Sequence, residues 1–237
     1  MYIKIIDNFF DKETSDKIED ILVRRVPWFY VDDIAYGPHD SQFVSDNQKE
    51  IFGFSTNITQ ESGYADYMKH LIDSICDRIS FNPTEVIRVR GRMTLPNDKS
   101  HGPIGPHVDF IEDHFVFLYY VNDSDGPTYI FDKKYSDKNE QLLKSGKLEL
   151  NVLKKVYPKR NRLLIFSGNQ YHAAACSSNG KRVVLNINIK GDMMMDDRTR
   201  FIYNISHQFI DYPNGRRSFF SHLLNTSLII KRMFPKK

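Results

Sequence analysis

The pattern in this sequence that most clearly indicates chemistry is a His-x-Asp pair, His107 and Asp109, followed far downstream by His172. Two imidazoles and one carboxylate on one face of an octahedron are the usual ligands of a non-haem Fe(II) site, which keeps its opposite face open. If the pair lies on a strand, His107 and Asp109 project to the same side and Val108 to the other. With 8 histidines in the chain, such a pair arises by chance quite often. The pair therefore needs support from its surroundings.

That support comes from the segment around His172. Arg162 to Phe166 is an apolar run of strand length, and a Ser-Gly-Asn-Gln turn separates it from His172. From Arg182 onward the sequence alternates, with aliphatic side chains on one face and Arg182, Val184, Asn186 and Asn188 on the other. This alternation is typical of a barrel wall around a polar site. Arg182 would then lie inside, where a buried guanidinium needs a carboxylate partner.

These residues resemble a known family. The resemblance spans about 86–190 and rests on motifs that follow one another in a fixed order: His107-x-Asp109, the strand 115–122, the Gly126-x-Thr128 turn, the run 158–166, His172 and Arg182. The chain resembles the 2-oxoglutarate and Fe(II)-dependent dioxygenases, and within them the prolyl 4-hydroxylase-like branch. The resemblance implies a mainly β fold with supporting α-helices, built on a double-stranded β-helix (jelly-roll, cupin-like) core.

The resemblance also implies roles for individual residues. His107, Asp109 and His172 would bind Fe(II), and Arg182 and Tyr120 would bind the distal carboxylate of 2-oxoglutarate. Asn186 is a further candidate contact for this cosubstrate. O2 would be the oxidant, with ascorbate as an additional candidate cofactor.

The acceptor is far less defined than the cofactors. The branch suggests a prolyl residue in a peptide or protein, while a free amino acid, another small metabolite or a nucleobase stays open. Relatives that demethylate nucleobases typically carry a second arginine where this chain has Asn188, which counts against a nucleobase. Two other classes also stay open: a cupin-type metalloenzyme that does not use 2-oxoglutarate, and an inactive binding module on the same fold.

Composition predicts a folded, intracellular protein. The chain has 237 residues, of which 41% are hydrophobic and 13% aromatic, enough for a sizeable core. A net charge of +3 does not call for a nucleic-acid partner. Two cysteines are too few for a disulfide framework, and neither an apolar span nor a signal-peptide core is present. We therefore expect a cytoplasmic location and no membrane partner.

The domain organisation follows from the motifs. We expect one dioxygenase domain over 1–237, with helical and strand support in 1–85, the jelly-roll core in 86–190 and a C-terminal extension in 191–237. The extension would cover the barrel or mediate homodimerisation. His207 and Arg217 repeat the interval between His172 and Arg182. A Pro-Asn-Gly break between them excludes them as the downstream metal-binding histidine and its arginine.

Several other segments carry weaker signals. An apolar stripe from Tyr64 to Ile79 predicts a helix that ends at Asn82-Pro83. The following strand candidate, 86–95, places three arginines at alternate positions on one face, which we interpret as a solvated face rather than as a site for an acidic substrate or nucleic acid. Three aromatic residues are expected to pack in the core or rim rather than contact substrate: Trp28, Tyr30 and Tyr36. His70 and His101 are given no role.

Overall fold

Two antiparallel β-sheets form the framework of the protein. The computed structural model describes residues 2–32, 52–58, 63–97 and 102–194. The strands are β1 (Ile3–Ile6), β2 (Phe29–Val31), β3 (Gly53–Asn57), β4 (Phe81–Thr94), β5 (Ile104–His107), β6 (Phe115–Tyr120), β7 (Thr128–Lys134), β8 (Val152–Val156), β9 (Arg162–Ser167), β10 (Gln170–Ala174) and β11 (Arg182–Met193). The major sheet has the order β1-β9-β6-β11-β4-β3-β2, and the minor sheet has the order β5-β10-β7-β8. The predicted jelly-roll class is confirmed.

Helices cover the outer face of the major sheet. They are α1 (Lys12–Asp20), continued by a π-helical turn (Ile21–Arg25), and α2 (Ala65–Ile79), while α3 (Asp137–Lys144) follows β7. Helix α1 begins after Asp11, whose carboxylate accepts a hydrogen bond of 2.8 Å from the Thr14 amide and so caps the helix. Ile18 of α1 and Ile75 of α2 are fully buried in the core cluster between the helices and the sheet.

Strand β11 separates this core from the interior between the two sheets. Its aliphatic side chains Val183, Leu185, Ile187 and Ile189 all belong to the core cluster on the helix side. Each such side chain contributes roughly 1.5–3 kcal/mol when removed from water. The opposite face of β11 carries Arg182, Val184 and Asn186 into a cavity between the sheets. The alternation seen in the sequence thus fixes which face of this strand meets the site.

The boundary between α2 and β4 differs from the prediction. The helix ends at Ile79, where Ser80 adopts a left-handed conformation with φ 56° and ψ 55°. Pro83 does not end the helix but lies within β4, opposite Gly191 of β11. Strand β3 pairs with residues 90–94 of β4, so among the described strands β4 has a single neighbour at Pro83. A proline, which has no N–H to donate, is tolerated at such an edge position of a strand.

The described helices and strands belong to one compact unit that runs from Met1 to Met193. The predictions made for Tyr36, His101, His207 and Arg217, and for nearly all of 191–237, fall outside the described residues. Both cysteines are buried and free. Among the helices that the structure describes, none is long and apolar enough to cross a membrane.

Candidate metal centre and anion pocket

His107, Asp109 and His172 converge at one end of the minor sheet. His172 lies in the middle of β10 and His107 is the last residue of β5, and the two are direct partners across these strands. One potential ligand atom from each of the three residues lies within 4.8 Å of the others. His172 Nε2 is 3.9 Å from Asp109 Oδ2, a separation that suits one metal ion bound to both at about 2 Å. The donor set and its spacing therefore fit a divalent metal ion.

Asp109 reaches this position by a different route from the predicted one. Strand β5 ends at His107, so Val108 and Asp109 lie beyond it and strand alternation does not orient the carboxylate. Hydrogen bonds from across the interior hold it instead. Asn186 Nδ2 and Asn188 Nδ2, both on β11, donate to Asp109 Oδ2 at 3.0 and 2.8 Å. The predicted same-face geometry is thus produced by tertiary contacts.

Backbone carbonyls determine which ring nitrogen carries the proton in the neutral form of both imidazoles. His107 Nδ1 lies 2.8 Å from the Gly105 carbonyl oxygen, and His172 Nδ1 lies 3.0 Å from that of Gln170. A carbonyl oxygen can only accept, so each Nδ1 carries the proton and each neutral ring keeps its lone pair on Nε2. Donation from the second ring nitrogen to a carbonyl is the usual way of orienting a metal-binding histidine.

Arg88 completes the surroundings of Asp109. Its Nη2 donates to Asp109 Oδ1 at 2.5 Å, and its Nε donates to Asn188 Oδ1 at 3.1 Å. Its guanidinium also stacks 4.6 Å from the centre of the Phe110 ring. The interpretation of the row Arg88, Arg90 and Arg92 as a solvated face is therefore wrong. All three are partly buried and lie on the site side of β4, and Arg92 lines the cavity.

The electrostatics of the cluster favour a metal ion. Burial acts to raise the pKa of Asp109, but the nearby His172, His107 and Arg88 outweigh it and hold the pKa well below its usual value. Asp109 is thus ionised at neutral pH. Burial, followed by the proximity of His107, lowers the pKa of His172 to about 4. Its imidazole is therefore uncharged and available as a ligand well into the acid range.

The lowered pKa of His172 predicts how the stability of the metal-free protein depends on pH. Between the ordinary value of 6.5 and about 4, the unfolded chain binds a proton at this residue that the folded chain does not. The free energy of unfolding should therefore fall as the pH drops through this window, by up to about 1.4 kcal/mol per pH unit. Asp109 contributes only below this window, because its pKa is lowered from 3.8.

Urea unfolding at a series of pH values measures this dependence. We expect His172→Gln to remove part of the slope, and His70→Gln, at an exposed position on α2, to preserve it. Equal slopes for the wild-type protein and His172→Gln would contradict the prediction.

A second prediction concerns Arg88. Because Arg88 orients the Asp109 carboxylate, we expect Arg88→Met to weaken binding of a divalent metal by roughly 10- to 100-fold. Metal titration monitored by calorimetry measures the effect, with Arg24→Met, an exposed arginine on the helix side, as the control. An unchanged metal affinity in Arg88→Met would show that Asn186 and Asn188 suffice to position Asp109.

Arg182 lies in the same interior but makes different contacts. It is 4% exposed, its Nε donates to the Gly126 carbonyl at 2.9 Å and its Nη2 donates to Thr128 Oγ1 at 2.9 Å. Tyr120 is fully buried beside it and also donates to Thr128 Oγ1, at 2.8 Å. No carboxylate of the described residues forms an ion pair with Arg182. A buried cation without an anionic partner is a strong candidate for binding an anionic ligand.

One cavity of about 90 Å³ is lined both by the three candidate metal-binding residues and by Arg182. Its wall includes His107, Asp109 and His172 at one place and Arg182 with Thr128 at another. Apolar side chains from both sheets complete it: Ile104, Val116, Leu118, Phe166 and Val184. A small ligand in this cavity can thus contact the metal position and the guanidinium together.

The remaining predicted contacts are placed as follows. Tyr120 lies next to Arg182, and Asn186 lies in the cavity wall with its Oδ1 buried and without a hydrogen-bond partner among the residues that the structure describes. The Asn186 amide nitrogen binds Asp109, so contact with a cosubstrate stays a prediction for this residue. Sequence reasoning assigned no role to Thr128, Arg88 or Asn188. The Gly-x-Thr turn was the available signal for Thr128.

The aromatic residues near the amino terminus have structural roles or face solvent. Trp28 packs against the core cluster, and its Nε1 donates to the Leu22 carbonyl at 3.1 Å. Tyr30 is exposed and contacts Phe52 and Phe54. The packing interpretation of Trp28 is confirmed.

The fold is similar to that of one group of solved structures. The fold is the double-stranded β-helix of the 2-oxoglutarate and Fe(II)-dependent oxygenases. Comparison with protein-family models and with curated protein sequences gives no match. The likeness is therefore structural.

Three solved structures illustrate the similarity. A prolyl hydroxylase from Trichoplax adhaerens, in complex with a peptide fragment of the hypoxia inducible factor oxygen degradation domain, is 14% identical; the alignment covers 84% of this chain and 86% of that one, with a TM-score of 0.50. The non-haem α-ketoglutarate-dependent epimerase SnoN from nogalamycin biosynthesis is 12% identical over 79% and 77%, with a TM-score of 0.54. A 2OG-Fe(II) oxygenase family oxidoreductase from Burkholderia pseudomallei is 13% identical over 79% and 84%, with a TM-score of 0.50. These neighbours establish the fold.

Proposed function

We propose that this chain is an Fe(II)- and 2-oxoglutarate-dependent dioxygenase that couples oxidative decarboxylation of 2-oxoglutarate to hydroxylation of an acceptor. The observation that carries the proposal is the shared cavity. It combines three metal-binding side chains with the buried guanidinium of Arg182, which has no carboxylate partner among the described residues. 2-Oxoglutarate matches both features, since it has a chelating keto acid at one end and a free carboxylate at the other.

The side chains of the cavity would have distinct binding roles. His107, Asp109 and His172 would hold Fe(II), which together with O2 and 2-oxoglutarate supplies the oxidising chemistry. Arg182 would bind the distal carboxylate of the cosubstrate. Thr128 Oγ1 already accepts hydrogen bonds from Arg182 and Tyr120, so its own proton is available to donate to the same carboxylate.

The rest of the cavity would protect the reaction from solvent. Apolar residues from both sheets, among them Val116, Leu118 and Phe166, are nearly or fully buried around the donors. They keep water from the oxidant and strengthen the electrostatic contacts within the site. Protein side chains would then have little acid–base work, and positioning would be their main contribution.

Arg182 also distinguishes this proposal from its alternatives. A cupin-type metalloenzyme without 2-oxoglutarate needs two histidines and a carboxylate, but it has no use for a buried, unpaired guanidinium. Burial lowers the pKa of Arg182, which reflects the cost of keeping this charge in the interior. An inactive binding module would be expected to lack a metal ligand, and the proximity of His107, Asp109 and His172 supports an intact set.

For the acceptor we propose a prolyl residue in a peptide or protein. Two observations support this choice: the order of the sequence motifs, which resembles the prolyl 4-hydroxylase-like branch, and the peptide bound to the Trichoplax adhaerens neighbour. A small metabolite or a free amino acid is the alternative.

Anaerobic titration of the Fe(II)-loaded full chain with 2-oxoglutarate tests the proposed cofactors. We expect the weak visible charge-transfer band of the chelate, and in air we expect succinate to form from 2-oxoglutarate. Bound iron with neither the band nor succinate would refute the proposal and favour a cupin-type enzyme.

A further inference from the structure

Strand β4 carries a row of arginines along the face that meets the site. Arg88, Arg90 and Arg92 lie directly opposite Asn188, Asn186 and Val184 of β11. Paired residues of neighbouring strands point to the same face of a sheet. The three guanidiniums therefore share a face with the residues that hold Asp109 and line the cavity.

This part of the major sheet extends beyond the apolar cluster between the sheets. That cluster takes its members from β1, β6, β9 and β11 of the major sheet and from β7 and β8 of the minor sheet. Strands β2, β3 and β4 contribute none of its described members. On the site side, β3 presents Ser55 and Asn57 beside the arginines, and the edge strand β2 adds Val31 and the exposed Phe29. The surface that β3 and β4 present next to the metal position is thus polar and positively charged, with apolar side chains at its outer edge.

Arg90 has guanidinium N–H groups with no hydrogen-bond partner among the described residues. Its Nε donates to Asn57 Oδ1 at 3.0 Å, and no described residue gives it a carboxylate partner. Arg88 nearby uses Asp109 as its counter-ion. Burial, followed by repulsion from Arg88, lowers the pKa of Arg90, and attraction from the Asp109 carboxylate only partly offsets these effects, so a further anion at Arg90 would be stabilising.

We propose that Arg90 binds a carboxylate of the acceptor substrate while the acceptor is held over the metal position. This inference rests on the proposed function and adds the charge of its substrate. 2-Oxoglutarate does not meet the requirement at Arg90, because its distal carboxylate belongs with Arg182 inside the cavity and Arg90 is not part of the cavity wall. The planar fork of a guanidinium suits a carboxylate in particular, because two parallel hydrogen bonds form.

The position of Arg90 explains how an acceptor could use it. Arg90 is the strand partner of Asn186, whose amide contacts Asp109. Neighbouring strands lie about 4.8 Å apart, so Arg90 is one strand away from the residues that support the metal position. An acceptor whose carboxylate sits on Arg90 can therefore direct a nearby carbon toward the cavity.

Two matched pairs of probes test the proposal. The first pair is N-acetylproline and N-acetylprolinamide, and the second is the capped peptide Ala-Pro-Glu-Ala and its Gln counterpart. Binding to the full chain, loaded with Zn(II) and 2-oxoglutarate to prevent turnover, is measured by calorimetry. We expect the acid to bind about tenfold or more tightly than its amide in at least one pair, since hydrogen bonds to charged groups are the stronger kind.

Variants assign any such preference to Arg90. Arg90→Gln should remove it, and Arg90→Lys should retain part of it. Arg24→Gln removes one positive charge on the helix side and should leave the preference unchanged. A preference in the first pair identifies a free acid as the carboxylate source, and one in the second identifies an acidic side chain in a peptide.

Equal affinity for acid and amide in both pairs, absence of binding included, would overturn the proposal, as would a preference that survives in Arg90→Gln. Failure of the proposed function is a separate result, because 2-oxoglutarate would then not bind to the metal-loaded protein at all.

Discussion

Replacement of Arg182 by methionine is expected to weaken 2-oxoglutarate binding by roughly 30-fold to more than a thousandfold. Removal of one member of a buried, hydrogen-bonded charge pair costs about 2–5 kcal/mol, and this range converts to that loss of affinity. Metal binding should persist, because Arg182 contacts Gly126 and Thr128 rather than any of the three metal-binding side chains. Titration with 2-oxoglutarate of the Fe(II)-loaded variant measures the effect.

Stability should respond to the same substitution in a different way. Arg182 is buried without a carboxylate partner among the described residues, so methionine removes a charge that the ligand-free protein keeps at a cost. We expect the free energy of unfolding of Arg182→Met to stay within about 1 kcal/mol of the wild-type value, because the lost hydrogen bonds to Gly126 and Thr128 offset the gain. Urea unfolding tests this expectation.

A surface arginine supplies the control for Arg182→Met. Arg160 pairs with Asp16 and Glu19 near the helices, so Arg160→Met should leave 2-oxoglutarate affinity unchanged. If Arg182→Met bound 2-oxoglutarate as tightly as the wild-type protein, Arg182 would have no part in cosubstrate binding, and the cupin-type alternative would gain support.

Substitution of Asp109 by alanine is the second change with a large expected effect. It removes the carboxylate of the candidate metal centre formed with His107 and His172, and it leaves the partly buried Arg88 guanidinium without its counter-ion. We expect Fe(II) binding to fall below detection at micromolar metal and succinate formation to cease. Iron content after gel filtration and succinate production measure the two effects.

Glu112→Ala provides the matched control for Asp109→Ala. Glu112 is an exposed carboxylate three positions further along the chain, and it is not part of the metal cluster. This variant should retain iron and succinate production. Near-normal iron content in Asp109→Ala would refute the assignment of the metal site.

The sequence was most informative where a local pattern carried the signal. The alternation in β11 predicted that Arg182 and Asn186 face the interior and that Val183 and Leu185 face the helices, and the structure has this arrangement. Neighbours along the chain decide this outcome.

Prediction failed where the deciding partner was distant in sequence. Arg88 contacts Asp109 and Asn188, and the latter lies 100 positions away. A row of arginines on a strand is consistent with a solvated face until the identity of the opposite strand is known. Pro83 was misplaced for the same reason, since only the pairing of β4 shows that one side of the strand is open at that point.

The sequence alone determined the identity of the metal-binding candidates and the inward face of β11, because residue type and the two-residue period of a strand suffice for these. The jelly-roll class was implied by the resemblance of the ordered motifs to a known family. Only the tertiary structure decided how Asp109 is held, that Arg182 lacks a carboxylate partner among the described residues, and that Arg90 lies beside the site. These features depend on strand order and register. Strand pairing brings together segments far apart in the chain, and no local pattern encodes their distances.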